Sequence, residues 1–484
     1  MIGATATIPD AELAAQPRRT PVLLLLVSCG WAVRNYLRSP FLAEMRPLMD
    51  VVVALPPGDD DLESELREVG IRVVALPPSA LPRGLGTLNG LLVIADNHRL
   101  GFWDAHLWQW MIGLDPPWRR LLRRTQIGAA WVLALSPLYQ IARRVEAQWF
   151  SRVAQRAPIR DLCSSINPDV VLSTNPFDLR EIPVSVHALG RNVPAIAALE
   201  SWDHLTHKGH PIADSSRFIV WGAQMAEDLL RHRPDLRSDR IVTAGSPQFD
   251  FHRRDDLTWT RADFFRRVGG DPERPLITYA ADTEITFPDE PEIVRQLWSA
   301  IERGEIAGRP QLLVRPHPHD VTGRFEALRA QCPGLLITLP WTVNPARHWW
   351  FAPALDDLAL LSNTLRYTDV SINLAGSMTL DAAIFDKPVV NVAFTTAPDD
   401  PRACRVPFSQ YGAHYSRVMK WGAARRVTSA EELLQVINMY LEHPELDRSQ
   451  RHHLVRRLCG QVDGQACRRI ARCVVSSVED ISAD

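Results

Sequence analysis

Short apolar runs alternate with polar, helix-periodic stretches along most of this chain. In its first half, residues 22–28, 50–55, 71–76, 169–173, 195–200, 218–221 and 241–244 are candidate strands. Most are continuous apolar runs with no polar alternation, which is how strands covered on both faces read. Helical periodicity fills several of the gaps, as at 60–69 and 224–232. This pattern predicts a doubly wound α/β domain. After Asp250 the character changes. Residues 251–275 are charged and polar, end in Gly269-Gly-Asp-Pro-Glu-Arg-Pro275 and show no strand pattern, which places a domain boundary there. A second alternation follows, with strands expected at 276–280, 311–314, 335–339, 370–374 and 389–394, and helices at 290–302, 358–365, 377–385 and 430–443. The tail over 445–478 reads as helix that crosses back to the first domain. The expected architecture is therefore α/β, with two doubly wound Rossmann-like domains facing a cleft. Its predicted parts are a mobile leader over 1–20, an N-terminal domain over 21–250, a C-terminal domain over 251–455 and a C-terminal helix over 456–484.

Composition narrows this picture. With 484 residues, 46% hydrophobic and 23% charged, the chain has enough apolar content for two cores. A formal net charge of −2 argues against a nucleic-acid partner, which calls for a basic excess. Seven scattered cysteines include no C-x-x-C pair, so neither a zinc ribbon nor a redox dithiol is expected, and a reducing cytoplasm fits best. The run 21–27 follows Arg18-Arg19 but leads into Arg34 and Arg38 without a small-residue cleavage site, so it reads as a first strand. No stretch of eighteen uncharged apolar residues predicts a membrane span. Residues 127–142 carry no charge, however, and are bracketed by Arg119-Arg120, Arg123-Arg124 and Arg143-Arg144. A helix over 119–144 with that pattern suits the surface of an anionic bilayer, here the cytoplasmic face of the inner membrane.

Two stretches carry candidate chemistry. Asp369 to Phe394 reads strand, small-residue loop, ten-residue helix, strand, with the turn into the helix at Ala375-Gly376-Ser377. Glycine permits a tight turn, serine is a favoured N-cap, and a helix start attracts phosphate. Asp381 lies one helical turn beyond Ser377 on the same face, where a carboxylate meets sugar hydroxyls. The second stretch, Gln311 to His319, is an apolar strand ending in Arg315 and His317. Ligands of open parallel sheets gather beyond the carboxyl ends of the strands, and guanidinium suits phosphate there.

Ser201-Trp-Asp-His-Leu-Thr-His-Lys-Gly209, Val220-Trp-Gly222, Val242 to Asp250, Arg315-Pro-His-Pro318, Ser377-Met-Thr-Leu-Asp381, Asp386-Lys-Pro388 and Val462-Asp-Gly464 together resemble the GT-B glycosyltransferases. More narrowly, they are similar to surface-carbohydrate enzymes grouped with CDP-glycerol glycerophosphotransferases and non-hydrolysing UDP-N-acetylglucosamine 2-epimerases. The resemblance spans roughly residues 165–475. It implies a nucleotide-sugar donor on the C-terminal domain and a glycan or lipid-linked acceptor facing the N-terminal one. Carried over by position, Gly376, Ser377 and Met378 hold the donor phosphates and Asp381 the ribose, with Thr379 in the same donor group. Arg315 and His317 match a motif that CMP- and CDP-donor enzymes aim at phosphate, with UDP still open, and Gly245 and Ser246 join the donor group. The H-G-T-P-L-K stretch of true glycerophosphotransferases is missing, and Ser201 to Lys208 stands in its place.

Asp203, His204 and His207 are the candidate bases for an acceptor hydroxyl, with Glu200 and Asp178 in reserve. Trp31, Arg34, Asn35 and Arg38 follow the first strand and are candidates for acceptor contact. A helix tip and an arginine can stabilise a departing nucleotide, so no metal or other cofactor is expected. Asp59-Asp60-Asp61 reads as a helix cap and not as a metal site. Sugar transfer is the first expectation. Epimerisation, glycerophosphate transfer and an inactive binding protein remain as alternatives.

Overall fold

The computed structural model describes residues 19–79, 81–102, 116–340, 350–400, 403, 412 and 415–483. The predicted leader, but for its last two residues, and Cys404 lie outside them. In the first lobe β1 (Val22–Leu26), β2 (Asp50–Leu55), β3 (Arg72–Ala75), β4 (Val170–Ser173), β5 (Ala195–Ala198), β6 (Arg217–Val220) and β7 (Ile241–Thr243) form a seven-stranded sheet ordered β3-β2-β1-β4-β5-β6-β7. Every pairing is parallel. Leu23 and Leu25 pack into the core on one face of β1, and Leu24 and Leu26 into the core on the other. That two-sided burial is why the strand reads as an unbroken apolar run.

The second lobe repeats the plan with β8 (Leu276–Ala280), β9 (Gln311–Arg315), β10 (Leu336–Ile337), β11 (Val370–Asn373), β12 (Val389–Val392) and β13 (Arg425–Val427), ordered β10-β9-β8-β11-β12-β13. β13 escapes the sequence pattern because it is a three-residue edge strand containing two arginines.

Several helices position the site. α1 (Asp60–Glu68) follows β2, and Asp59 caps it by accepting from Leu62 N–H at 3.1 Å, as the acidic triplet predicted. Between β3 and β4 lies a helical insertion containing α2 (Arg83–Arg99), α3 (Pro117–Leu135) and α4 (Leu138–Ala154). The single helix expected over 119–144 is in fact two. Ser136 is extended ahead of Pro137, whose ring cannot continue the helix, and the chain turns there. α5 (Glu181–Leu189) follows β4, and α6 (Met378–Ile384) follows β11. α7 (Ala466–Ala483) ends the chain on the first lobe, with Cys467, Ile470, Ala471 and Val474 buried in that lobe's core. The Asp250 carboxylate fixes its start by accepting from Ala466 N–H at 3.1 Å and Cys467 N–H at 2.9 Å.

The lobes also touch through residues 350–353. Trp350 Nε1 donates to Asp59 Oδ2 at 2.5 Å, and Arg38 Nε donates to Pro353 O at 2.8 Å. Gly30 is required by this approach, since a Cβ there would lie 2.5 Å from the Phe351 ring. Among the described residues no helix is long and apolar enough to cross a membrane.

Candidate functional site

In the first sheet the strand order reverses between β1 and β4, and a crevice opens beyond the carboxyl ends of strands at such a switch point. A cavity of about 750 Å³ occupies it. Ser28 and Cys29 line it from the end of β1, Asn175 and Phe177 to Arg180 from β4, Glu200, Ser201, Asp203, His204, His207 and Lys208 from β5, Trp221 from β6 and Gln248 from beyond β7. Trp31 and Arg34 join them, and the second lobe adds Ser377 and Asp381. The cavity is therefore closed by both lobes.

Its first-lobe wall is dense in titratable groups. Glu200 is buried and accepts the Cys29 thiol at 3.0 Å. Burial holds the Glu200 carboxyl above the usual carboxylate range, while Lys208, Cys29 and Arg34 pull the other way. Burial and the adjacent Glu200 push the Cys29 thiol well up, so it stays a neutral donor. Asp178 forms a two-pronged pair with Arg180, at 2.9 and 2.7 Å, and Arg180 also donates to Ser28 O at 2.6 Å. Asp203 accepts from the Ser201 hydroxyl and faces His207 Nδ1 at 3.8 Å. His204 is buried edge-on to Phe177, and desolvation first, then Lys208, depress its pKa well below the ordinary value.

The loop carrying these groups is held from behind by the helical insertion. Asn97 Nδ2 on α2 donates to His207 O at 2.9 Å, and Lys208 N–H donates to His204 O at 2.7 Å. Gly209 adopts φ +73, and a Cβ there would fall 2.7 Å from the Asp96 carboxylate. Asp96 meets His210 Nδ1 at 3.1 Å, the Tyr139 hydroxyl donates to it, and the Arg143 guanidinium contacts His210 and lies 3.7 Å from Asp96. Asp96, His210 and His232 bring their ligand atoms within 4.8 Å of one another. A guanidinium wedged against two of them and Leu205 O on His232 Nε2 at 2.5 Å make this a satisfied network and a poor cation site.

The second-lobe candidates separate. Ser377 is exposed at the cavity, in helical backbone geometry with no side-chain cap bond, so its hydroxyl is not spent on capping. The helix it opens has seven residues, not ten. Gly376 does not adopt a positive φ, and a Cβ there would meet nothing within 4 Å, so its smallness leaves open space instead of permitting a turn. Met378 packs its side chain on the hydrophobic core. Thr379 faces inward: its hydroxyl bonds Asn373 Oδ1 at 3.1 Å and the Tyr415 hydroxyl at 2.6 Å, so that hydroxyl is turned away from the cavity. Asp381 is buried, 3.4 Å from His252 Nε2, and its charge bears on both Arg34 and Arg315. Arg315 ends β9 fully within the lobe, not on the cavity wall; burial lowers its pKa to about 10 against the pull of Asp357 and Asp381. His317 sits beside it, its pKa lowered by burial, and accepts His319 N–H at 3.1 Å. Arg315 thus stands behind the wall that Asp381 presents, and His317 follows it half-buried. Gly245 and Ser246 lie elsewhere. A Cβ at Gly245 would sit 2.7 Å from Gln461 O, so that glycine serves the crossover of the C-terminal segment, and Ser246 is fully buried.

On the acceptor side two of four candidates reach the cavity. The Arg34 guanidinium stacks 4.7 Å from the Trp31 ring and donates to Gln248 Oε1 at 2.6 Å. Burial brings its pKa down to about 10, opposed by Asp381 and Glu200. Asn35 is buried and accepts from Arg34 Nε at 2.9 Å, so it orients the arginine. Arg38 is occupied by Glu65 and Pro353 and holds the lobes together. Cys29, Lys208 and Gln248 were not singled out as site residues. Lys208 had a signal, being one of only three lysines in an arginine-rich chain.

The sequence matches no protein-family model and no curated protein. Solved structures do match over nearly the whole chain. A protein described as a UDP-N-acetylglucosamine 2-epimerase from Listeria monocytogenes superposes with a TM-score of 0.55 at 12% identity, covering 96% of this chain and 98% of that one. UDP-GlcNAc 2-epimerase from Methanocaldococcus jannaschii gives 0.51 at 11%, covering 94% and 99%. UDP-N-acetylglucosamine 2-epimerase from Rickettsia bellii gives 0.51 at 12%, covering 96% and 98%. At such identities the likeness shows a shared fold, the two-lobed GT-B arrangement of Rossmann-like domains.

Proposed function

We propose that this chain is an enzyme that binds a nucleotide-activated sugar across the interlobe cleft and transfers the sugar to an acceptor hydroxyl. The observation that carries this reading is the cavity closed by both lobes, with Glu200, Asp203, His207 and Lys208 on one wall and Ser377 and Asp381 on the other. Clefts between α/β domains are favoured ligand sites. In the transfer, the acceptor oxygen bonds to the anomeric carbon while the carbon–oxygen bond to phosphate breaks. The electron pair leaves on the phosphate and the acceptor proton passes to Asp203. Asp203 fits the base because it borders the cavity next to His207. Glu200, held above the ordinary range by burial, supplies a carboxyl that stays protonated at higher pH. Arg34 and Lys208 supply positive charge where the phosphate charge grows. The donor is a CMP-, CDP- or UDP-linked sugar, and the acceptor a surface glycan or its lipid-linked precursor.

A second reading is epimerisation of a nucleotide sugar, favoured by the names of the fold neighbours given above. Purified protein incubated with UDP-N-acetylglucosamine and with CDP-activated sugars, with and without a lipid-linked glycan extract, separates the two. Transfer predicts nucleotide release that depends on the extract. Epimerisation predicts a sugar inverted at C2, seen by NMR, without it. Extract-independent hydrolysis alone, or no turnover of any donor, overturns both.

A further inference from the structure

The outer face of the α3–α4 hairpin has no role in the cleft. Thirteen large hydrophobic side chains are exposed among the described residues, and seven of them lie between Trp118 and Ile141. Val132 is 71% exposed and Leu135 80%, and Leu138 and Ile141 continue the strip across the turn onto α4. The inward face of α3, with Ile127, Ala130 and Ala134, is apolar too. From Ile127 to Leu135 that helix is therefore apolar on both faces, a pattern that belongs to a helix covered all round, yet only one face is covered by the described residues.

Charge indicates what covers the other. From Pro116 to Val145 there is no aspartate or glutamate, but there are six arginines: Arg119, Arg120, Arg123, Arg124, Arg143 and Arg144. Arg143 is engaged internally by Glu146 and His210, whereas Arg119, Arg120, Arg124 and Arg144 are exposed. A chain of net charge −2 has thus placed arginines and no acidic residue along the stretch that holds seven of the thirteen exposed large apolar side chains among the described residues. Apolar side chains that reach the acyl boundary, ringed by arginines at headgroup height, match an anionic bilayer. Among the described residues no helix is long and apolar enough to span one.

We propose that the α3–α4 hairpin is a membrane-docking surface, with Val132, Leu135, Leu138 and Ile141 entering the interface and Arg119, Arg120, Arg123, Arg124 and Arg144 contacting anionic headgroups. The inner face of the same hairpin packs on α2, whose Asp96 and Asn97 hold the loop from His207 to His210. Docking therefore seats the bilayer one helix layer behind the candidate catalytic loop. Joined to the transfer reading above, it serves an acceptor anchored in lipid, but the test reads binding alone, so its failure leaves that reading standing.

The full chain is mixed, without substrate, with vesicles of phosphatidylcholine alone and of phosphatidylcholine with one-third phosphatidylglycerol, and floated at low and high salt. It is expected to float with the anionic vesicles at low salt and to be released by salt. Leu135→Asp combined with Leu138→Asp, both exposed, is expected to weaken partitioning by about tenfold or more, as is Arg120→Ser with Arg124→Ser and Arg144→Ser. Circular dichroism and the melting temperature are expected to stay unchanged. No flotation with anionic vesicles, or flotation indifferent to both variants, overturns the proposal. So does a dimer in solution that Leu135→Asp with Leu138→Asp converts to monomer, because the face would then belong to a second copy of the chain.

Discussion

The two walls of the cleft differ in kind. The first-lobe wall presents Glu200, Asp203, His204, His207, Lys208, Asp178 and Arg34, most of them hydrogen-bonded to each other or to the backbone behind them. Among the described residues the second-lobe wall presents Ser377 and Asp381, on a short helix whose other polar side chain, Thr379, is turned inward. Behind that wall Arg315 and His252 flank Asp381 from within the protein. Two sheets of the same winding thus do unequal work. One wall is rich in titratable groups, and the other is a small open surface with the buried Arg315 behind it; under the transfer reading the first handles protons and the second holds the anion.

The division is broken most sharply by removing a proton-handling group. Asp203→Asn is expected to lower turnover by about 10²–10⁴-fold while leaving nucleotide affinity within a factor of two or three, read by steady-state kinetics and calorimetry. An equal loss in affinity would move Asp203 from chemistry to binding. Asp381→Ala attacks the other wall. Arg34, Arg315 and His252 would lose a buried carboxylate they share, and denaturant unfolding is expected to show a loss of about 3 kcal/mol. Gly30→Ala tests how the walls are set against each other. Its methyl would overlap the Phe351 ring, with an expected cost of about 1–3 kcal/mol and weaker nucleotide binding from a displaced second lobe.

The smallest effect concerns pH. Glu181 on α5 accepts from the Ser173 hydroxyl at 2.7 Å and Asn175 N–H at 3.0 Å beside the cleft, and its pKa is raised from 4.5 to about 8, first by burial and then by Asp178. A carboxyl raised on folding binds its proton more tightly in the folded state. Its contribution is therefore complete below 4.5 and is lost as pH rises through about 8. In Glu181→Gln, the slope of stability between those values is expected to flatten, measured by chemical denaturation at several pH values.

Much of this architecture was legible in the sequence because buried parallel strands leave unbroken apolar runs, as Leu23–Leu26 does, and because a turn of charged residues separates the two alternations. The return of the last helix to the first lobe was legible too. The hairpin break was missed although Pro137 marks it, since the absence of charge across it outweighed the breaker. β13 was missed because an edge strand with arginines has no apolar signature. At the site, the strand-end position of Glu200 to Lys208 was readable from the order of elements. The inward turn of Thr379 and the occupation of Arg38 by Glu65 and Pro353 depend on contacts between residues far apart in sequence, which no local pattern carries.

The claim on which the rest depends is that the second-lobe wall holds the nucleotide. Calorimetric titration of UDP, CDP, CMP and GDP into the wild type and into Ser377→Trp tests it most directly, because position 377 is exposed and its side chain projects at the cavity. The account predicts saturable binding of at least one pyrimidine nucleotide and a loss of about tenfold or more in the variant. Binding that is indifferent to tryptophan at this position, or no binding of any of the four, would contradict it.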